Sequence, residues 1–385
     1  MPAEALASMV GTSAMEITVS KSELLGELTA TQGVVERKTT IPILSNYLFE
    51  VAGDKLSLTA TDLDLSLRTS LPVKVKKEGS CTIPARKLHD YVKLLPNADI
   101  TIKLLENHWV SIRCGRSNTK MVGMARSNFP SLPAFPTAGV VQIPAQVLRG
   151  LIAKTGFAIA NEESRYTLNG ALMVLKPESI TMVATDGHRL AHIERGGEKF
   201  EGISGEMKTL VPKKCMDELK SLLDSTDAES IEFAKDESTL YFRIGQRLLT
   251  SRQLTGQFPN FEAVLPKGND KSIHLHGDEF AAAIARVAQF ADERSRAVRI
   301  KLEKGELKLS ASSTETGESE DSLEADYNGD SLTIGFNAQY LTDFLKAVGS
   351  GDVKLELKDA QSAGQLRPAE NEDYKYRYIV MPMRI

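Results

Sequence analysis

The sequence predicts an α+β chain of three tandem domains of one fold, each with two helices and two small antiparallel sheets. Three observations predict it. Phe129-Pro130 recurs as Phe258-Pro259, 129 residues on, and each copy runs to a second proline, Pro133 and Pro266. Thr61-Asp62 and Thr185-Asp186 lie 124 apart, each ending a strand-like run, and Cys81-Thr-Ile-Pro84 is echoed by Thr209-Leu-Val-Pro212. Within the first repeat the apolar spacing reads strand, helix, three strands, twice over. Repeats of about 125 residues are whole domains, long enough to bury their own cores. A chain built this way suits surrounding or presenting something better than holding one deep catalytic pocket. The expected limits are 1–14 for a disordered leader, then domains at 15–137, 138–268 and 269–385.

In the first domain, Glu16 to Val19 alternates as a strand. Ser20 or Ser22 then caps a helix with Leu24, Leu25, Leu28 and Thr31 on one face. Pro42 stops any continuation. Strands follow at Ser45 to Val51, Lys55 to Thr61 and Leu63 to Leu71, with Ala52-Gly-Asp54 as a hairpin turn. The cycle restarts with strand Ser80 to Ile83 and a helix from Pro84 to Leu95. Proline suits a helix start because its missing N–H would be orphaned there. Strands Asp99 to Leu105, Trp109 to Cys114 and Thr119 to Ala125 complete the domain. The second domain should place helices at Ala145 to Ala160 and Pro212 to Leu223. The third should place them at Gly277 to Ala291 and Asn337 to Val348. Ser312 to Ser322 holds four acidic residues and reads as a solvated turn. Gln361 to Asp373 reads as a mobile loop before the last strand, Tyr376 to Val380.

Composition narrows the function classes. Charged residues are 25 % and apolar residues 42 %, as in ordinary soluble protein, and the net charge is -4. No global basicity announces nucleic acid, although a local stripe is enough to bind it. Cys81, Cys114 and Cys215 are odd in number and far apart, which suits buried thiols in a reducing, cytoplasmic compartment. No apolar run reaches a membrane span. Met1 to Ala14 has Glu4 and no Lys or Arg, unlike a signal peptide.

Catalytic chemistry is thinly represented, and no catalytic residue, metal or cofactor is expected. His188 and His192 in Asp186-Gly-His-Arg-Leu-Ala-His192 are four apart, which on a helix makes a metal pair. The segment instead follows a strand-like run, and no Glu completes an HExxH pattern. A tight turn at Asp186-Gly187, or partner recognition, are the competing readings. No GxGxxG, GxxxxGK[ST] or GxSxG is present. Basic residues recur at helix starts and faces: Arg37, Lys38, Arg149, Lys154, Lys213, Lys214 and Lys220. Either they are solvated faces or together they line one side with positive charge. The chain closes on Met381-Pro-Met-Arg-Ile385, an apolar tail where termini are usually polar. Methionines suit adaptable binding surfaces, and Pro382 should lift the last residues off the sheet edge.

These residues resemble the bacterial DNA polymerase III beta subunit, the family of replication sliding clamps. The resemblance rests on Ile41-Pro-Ile-Leu44 with Asn46, Ala60-Thr-Asp62, Gly115-Arg-Ser117 and the two Phe-Pro pairs. It continues in Arg165-Tyr-Thr-Leu-Asn-Gly170, Ala184-Thr-Asp-Gly-His-Arg-Leu-Ala191, Gly335-Phe-Asn337 and Val380-Met-Pro-Met-Arg384. It spans nearly the whole chain from Met15. It implies three domains of the DNA-clamp fold and two chains closed head to tail around duplex DNA. It also implies no catalysis, and tethering of the polymerase, clamp-loader subunits and other DNA enzymes through short linear peptides. The implied peptide cleft is lined by Leu168, Thr185, Gly187, His188, Arg189, Leu190, Pro259, Val264, Asn337, Tyr340, Ile379, Val380, Met381, Pro382, Met383 and Arg384. Leu190, Pro259, Val264 and Met383 should surround an apolar anchor, flanked by His188 and by hydrogen bonds from Arg189. The implied dimer seam holds Thr119, Met121 and Phe290, and the basic residues above would face DNA phosphates without reading sequence. The chain departs from the family pattern at Ala263, where a basic residue is usual, and at Ile385, where leucine is. The leader and Gln365 to Tyr374 are longer than usual.

Overall fold

Every repeat opens on a short strand that runs straight into a helix. Six helices arise this way: α1 (Lys21–Thr31), α2 (Ala85–Leu94), α3 (Ala145–Thr155), α4 (Lys213–Asp224), α5 (Gly277–Val287) and α6 (Ala338–Val348). A computed structural model describes residues 15–36, 39–197, 199–370 and 373–384, with the side chains of 163–165 excepted. Pro84 and Pro144 hold φ at -55° and -57° and end their strands, so α2 and α3 start one residue later. Proline cannot donate to a ladder, and its fixed φ turns the chain into the helix. Ser20 occupies the N-cap position of α1, but its hydroxyl bonds Ser22 Oγ at 2.8 Å instead of a backbone amide. Each helix buries one stripe at helical spacing, as with Leu88 and Val92 of α2 or Leu341, Phe344 and Leu345 of α6. The expected order of strand, helix and three strands, twice per domain, is observed, with one added strand, Lys74–Lys77, in the first.

The chain packs as two compact units. One holds the segments up to Gln142 and Ser221–Arg252; the other holds Ile143–Lys220 and everything from Gln253 onward. The division cuts through the second repeat because each half of it shares a sheet with a neighbouring repeat. In the first unit, Arg247–Arg252 pairs antiparallel with Leu65–Pro72 within an eight-stranded sheet, and a five-stranded sheet ends on Ser117–Val122. In the second, Arg189–Gly196 pairs with Tyr374–Val380 within another eight-stranded sheet, and a four-stranded sheet ends on Gly317–Glu324. Cys81, Cys114 and Cys215 are buried free thiols, as expected, and burial pushes Cys81 up to about 12.

Two expectations need correction. Ser312 to Ser322 is mostly strand: Glu306–Ser313 and Gly317–Glu324 form a long hairpin joined at Thr314 to Thr316. Its acidic residues alternate on an edge strand, which satisfies its backbone on one side only. Gln361 to Asp373 contains the strand Gly364–Pro368, paired with Asp352–Leu357 on one side and Tyr374–Val380 on the other. Leu366, 1 % exposed, anchors it in the core despite the polar surroundings that made it read as a loop. The leader, Arg37, Lys38 and Ile385 lie outside the described residues.

Candidate functional site

The site grows from one turn. Between strands Ser179–Thr185 and Arg189–Gly196, Asp186 Oδ1 accepts from the amides of His188 (2.9 Å) and Arg189 (3.0 Å). Thr185 Oγ1 accepts from Gly187 N at 3.1 Å and donates to Arg189 O at 2.6 Å. Gly187 sits at φ 88°, a conformation that favours glycine. The first repeat builds the same turn from Thr61, Asp62 and Leu65, with Leu63 at φ 83°. The tight-turn reading of Asp186-Gly187 is therefore the one the fold adopts.

The turn places Leu190 beside Ile379, and both join Leu172, Val174, Val183, Leu210 and Phe258 in one buried cluster. Above it opens a cavity of about 130 Å³. Leu168, Thr185, Gly187, His188, Arg189, Leu190, Pro259, Phe261, Val264, Ile379 and Met381 line it. Val264 and Met381 remain 45 % and 42 % exposed, so apolar surface stays open at the mouth. A cavity of roughly 150 Å³ admits a benzene-sized group, so this one suits a single leucine- or phenylalanine-sized anchor. Phe261 is the lining residue that sequence reasoning passed over; its signal is the Phe258-Pro-Asn-Phe261 run.

The tail leaves the sheet at Pro382, as expected. Met381 N bonds His188 O at 2.9 Å, and Met383 N then bonds Gly335 O at 2.8 Å on strand Leu332–Asn337. Pro382, Met383 and Arg384 border a separate, wider cavity of about 780 Å³ with Arg299 and Thr333. Met383 thus does not line the anchor cavity; Met381 does. Val380 is fully buried and pairs with Arg189. Asn337 caps α6, its Oδ1 accepting from Gln339 N at 2.9 Å.

Arg189 departs most from its expected role. Strand alternation turns it away from Leu190, toward α3 and α6. Nε donates to Asp186 Oδ2 (3.1 Å), Nη1 to Asp343 Oδ2 (2.6 Å) and Nη2 to Phe157 O (2.6 Å). The guanidinium also lies 4.5 Å from the Tyr340 ring centroid. Its donor fork is engaged inside the protein, although the residue still borders the cavity. Burial pulls its pKa down, but Tyr378, Asp343 and Asp186 outweigh that and raise it. His192 packs against Phe261 in a tilted pair, ring centroids 5.5 Å apart, and burial holds its imidazole below the ordinary histidine range. Among the described residues no cluster of three His, Cys, Asp or Glu is arranged to hold a metal.

The basic candidates are dispersed. Lys213 pairs with Asp217 at 2.8 Å, and Lys154 Nζ lies 4.9 Å from the Tyr374 ring centroid. Lys214 and Lys220 are exposed on α4, and Arg149 is half-buried on α3. Met121 is buried and Thr119 half-buried on edge strand Ser117–Val122, while Phe290 is half-buried just beyond α5.

Comparison with known proteins bears on all three repeats. Residues 15–133 match the N-terminal domain of the DNA polymerase III beta subunit, 142–260 its central domain and 262–384 its C-terminal domain. The beta sliding clamp of Pseudomonas aeruginosa is 36 % identical over 96 % of this chain and 100 % of its own length. That of Caulobacter vibrioides is 34 % identical over the same shares. A crystal structure of the Pseudomonas aeruginosa DNA polymerase III subunit beta has TM-score 0.90 and 35 % identity, covering 96 % of this chain and 100 % of that one. Another Pseudomonas aeruginosa clamp, solved bound to griselimycin, has TM-score 0.89 at 35 % identity, covering 97 % of this chain and 100 % of that one.

Proposed function

The chain belongs to the DNA polymerase III beta subunit family, the beta sliding clamps, and from that premise we propose how its parts do the work of a clamp. It is a non-catalytic processivity factor: a ring of two chains that encircles duplex DNA and tethers the replicative polymerase through a peptide-binding groove. The domains are taken at 15–137, 138–268 and 269–385. The observation that carries the tethering role is the open anchor cavity, floored by Leu190 and Ile379 and roofed by Val264 and Met381. Partner peptides insert one leucine or phenylalanine there. Concentrating affinity in one desolvated anchor is how a small interface becomes useful. Pro382, Met383 and Arg384 then guide the rest of the peptide beside the second cavity.

Two free edges support the closing of the ring. Among the described residues, Ser117–Val122 and Gly317–Glu324 each pair on one side only. The first offers Lys120 and exposed Val122; the second offers exposed Glu318, Glu320 and Glu324. Unpaired edges of opposite charge attract and cover one another. Each seam is head-to-tail, and two of them close a dimer, with Thr119 on the seam and Met121 and Phe290 as its apolar contacts. Arg149, Lys154, Lys213, Lys214 and Lys220 supply sequence-independent attraction to phosphate.

Calorimetry with a polymerase-derived peptide tests the cleft. Truncation before Met381 should abolish binding while the dimer persists. Full-strength binding to the truncated protein would move the partner site elsewhere.

A further inference from the structure

The outer face of the eight-stranded sheet does not end at the anchor cavity. In the pairing of Arg189–Gly196 with Tyr374–Val380, Leu190 faces Ile379 and, two residues along, His192 faces Arg377. Alternation puts all four side chains on the same face, opposite α3 and α6. His192 and Arg377 therefore lie roughly 6.5–7 Å beyond the cavity floor. They are continuous with it, because Phe261 lines the cavity and also packs against His192 in a tilted pair with ring centroids 5.5 Å apart.

This pair has unused hydrogen-bonding capacity. His192 Nδ1 is buried with no hydrogen-bond partner among the described residues. Arg377 commits Nε to Gln365 Oε1 at 2.7 Å, and its terminal nitrogens reach no acceptor among the described residues. The carboxylates nearby are already engaged. Glu356 is held by Gln365 and by Arg367, from Nε at 2.8 Å and Nη2 at 2.7 Å, and Glu194 accepts from Lys375 at 3.3 Å. A half-buried guanidinium with spare donors gains from an incoming carboxylate more than an exposed one does.

We propose that His192 and Arg377 form a second recognition point, continuous with the cleft, that takes a carboxylate side chain of the docked peptide about two residues from its apolar anchor. Two residues of extended peptide span the same roughly 6.5–7 Å. Arg377 Nη donates to the carboxylate, while the His192 ring, its Nδ1 shielded from solvent, packs beside it against Phe261. Exposed Glu262, on the turn that carries Phe261, weakens the pull. The inference rests on the cleft reading above and adds a specificity to it.

The test uses two fluorescent peptides with the same anchor, one with Glu and one with Gln two residues away, titrated against the full-length protein. The Glu peptide should bind roughly three- to tenfold tighter. Arg377→Gln should bring that ratio to one while leaving the Gln peptide's affinity unchanged. Arg377→Lys should keep part of the preference, and Glu262→Gln should increase it. A ratio of one in the unmodified protein, with both peptides bound, overturns this proposal and leaves the cleft standing. So does a ratio that survives Arg377→Gln. Failure of both peptides to bind overturns the cleft reading and this proposal with it.

Discussion

Gly187 and Leu63 hold one position in two copies of a single turn, and they make opposite predictions. Gly187 adopts φ 88° at no steric cost, whereas Leu63, 50 % exposed, adopts φ 83° against its Cβ. Gly187→Ala should destabilise by about 1–2 kcal/mol and weaken peptide binding, while Leu63→Gly should be neutral or stabilising; thermal unfolding of both variants checks this. Arg189 gives the second residue-level prediction. Its guanidinium ties the cleft to Asp343 on α6 and Phe157 beyond α3, and it is 10 % exposed. Asp343→Ala removes one of that charge's two carboxylate partners and leaves Asp186, so it should cost about 1.5–3 kcal/mol and lower peptide affinity, although Asp343 does not line the anchor cavity. Denaturant unfolding and calorimetry read the two effects separately. A sequence shows that Arg189 follows a turn, but not that its partner lies 154 positions away. That is why its role as a tie, instead of a peptide donor, emerges only from the fold.

At the scale of elements, what was legible depended on whether local chemistry agreed with tertiary context. The helices read correctly because each buries an apolar stripe at helical spacing and follows directly on a strand, as at Pro84 and Pro144, where the strand ends in a proline. The edge strand Gly317–Glu324 did not, because one side of an edge is solvent and its acidic alternation resembles a loop. Gly364–Pro368 was hidden for a related reason: only Leu366 within it looks like core. The Thr-Asp turn and the apolar tail were both visible, but their meeting in one cavity needs the pairing of Arg189–Gly196 with Tyr374–Val380. A different tie joins α1 to strand Arg247–Arg252: Glu27 accepts from Arg247 Nε at 3.0 Å and Nη2 at 2.9 Å, and from Thr69 at 2.7 Å. Burial raises the Glu27 pKa, but Arg247 and Thr69 outweigh it and hold the carboxyl below its ordinary value. A depressed carboxylate stabilises the fold above its unfolded pKa, and that stability is lost as pH falls through the folded one. Glu27→Gln should therefore lower the melting temperature at neutral pH, and the gap to the unmodified protein should close as pH drops below about 4.

The whole molecule carries a net charge of -4, so its hold on DNA cannot be one of bulk attraction. In the proposed reading, local basic residues centre the duplex and closure of the ring keeps it there. Neutralising Arg149, Lys154, Lys213, Lys214 and Lys220 together should weaken DNA binding equally for all sequences and flatten its salt dependence; a titration across ionic strength reads both. At the seam, Met121→Asp with Phe290→Asp should shift the dimer toward monomer at low concentration, as followed by ultracentrifugation. The most direct test of the clamp itself is retention on DNA that has ends against DNA that has none. The protein, loaded onto nicked circular DNA and passed through a sizing column in high salt, should co-elute with the circle and be lost once a restriction enzyme linearises it. Equal retention on circular and linear DNA, or loss from both, would contradict a closed ring held by topology.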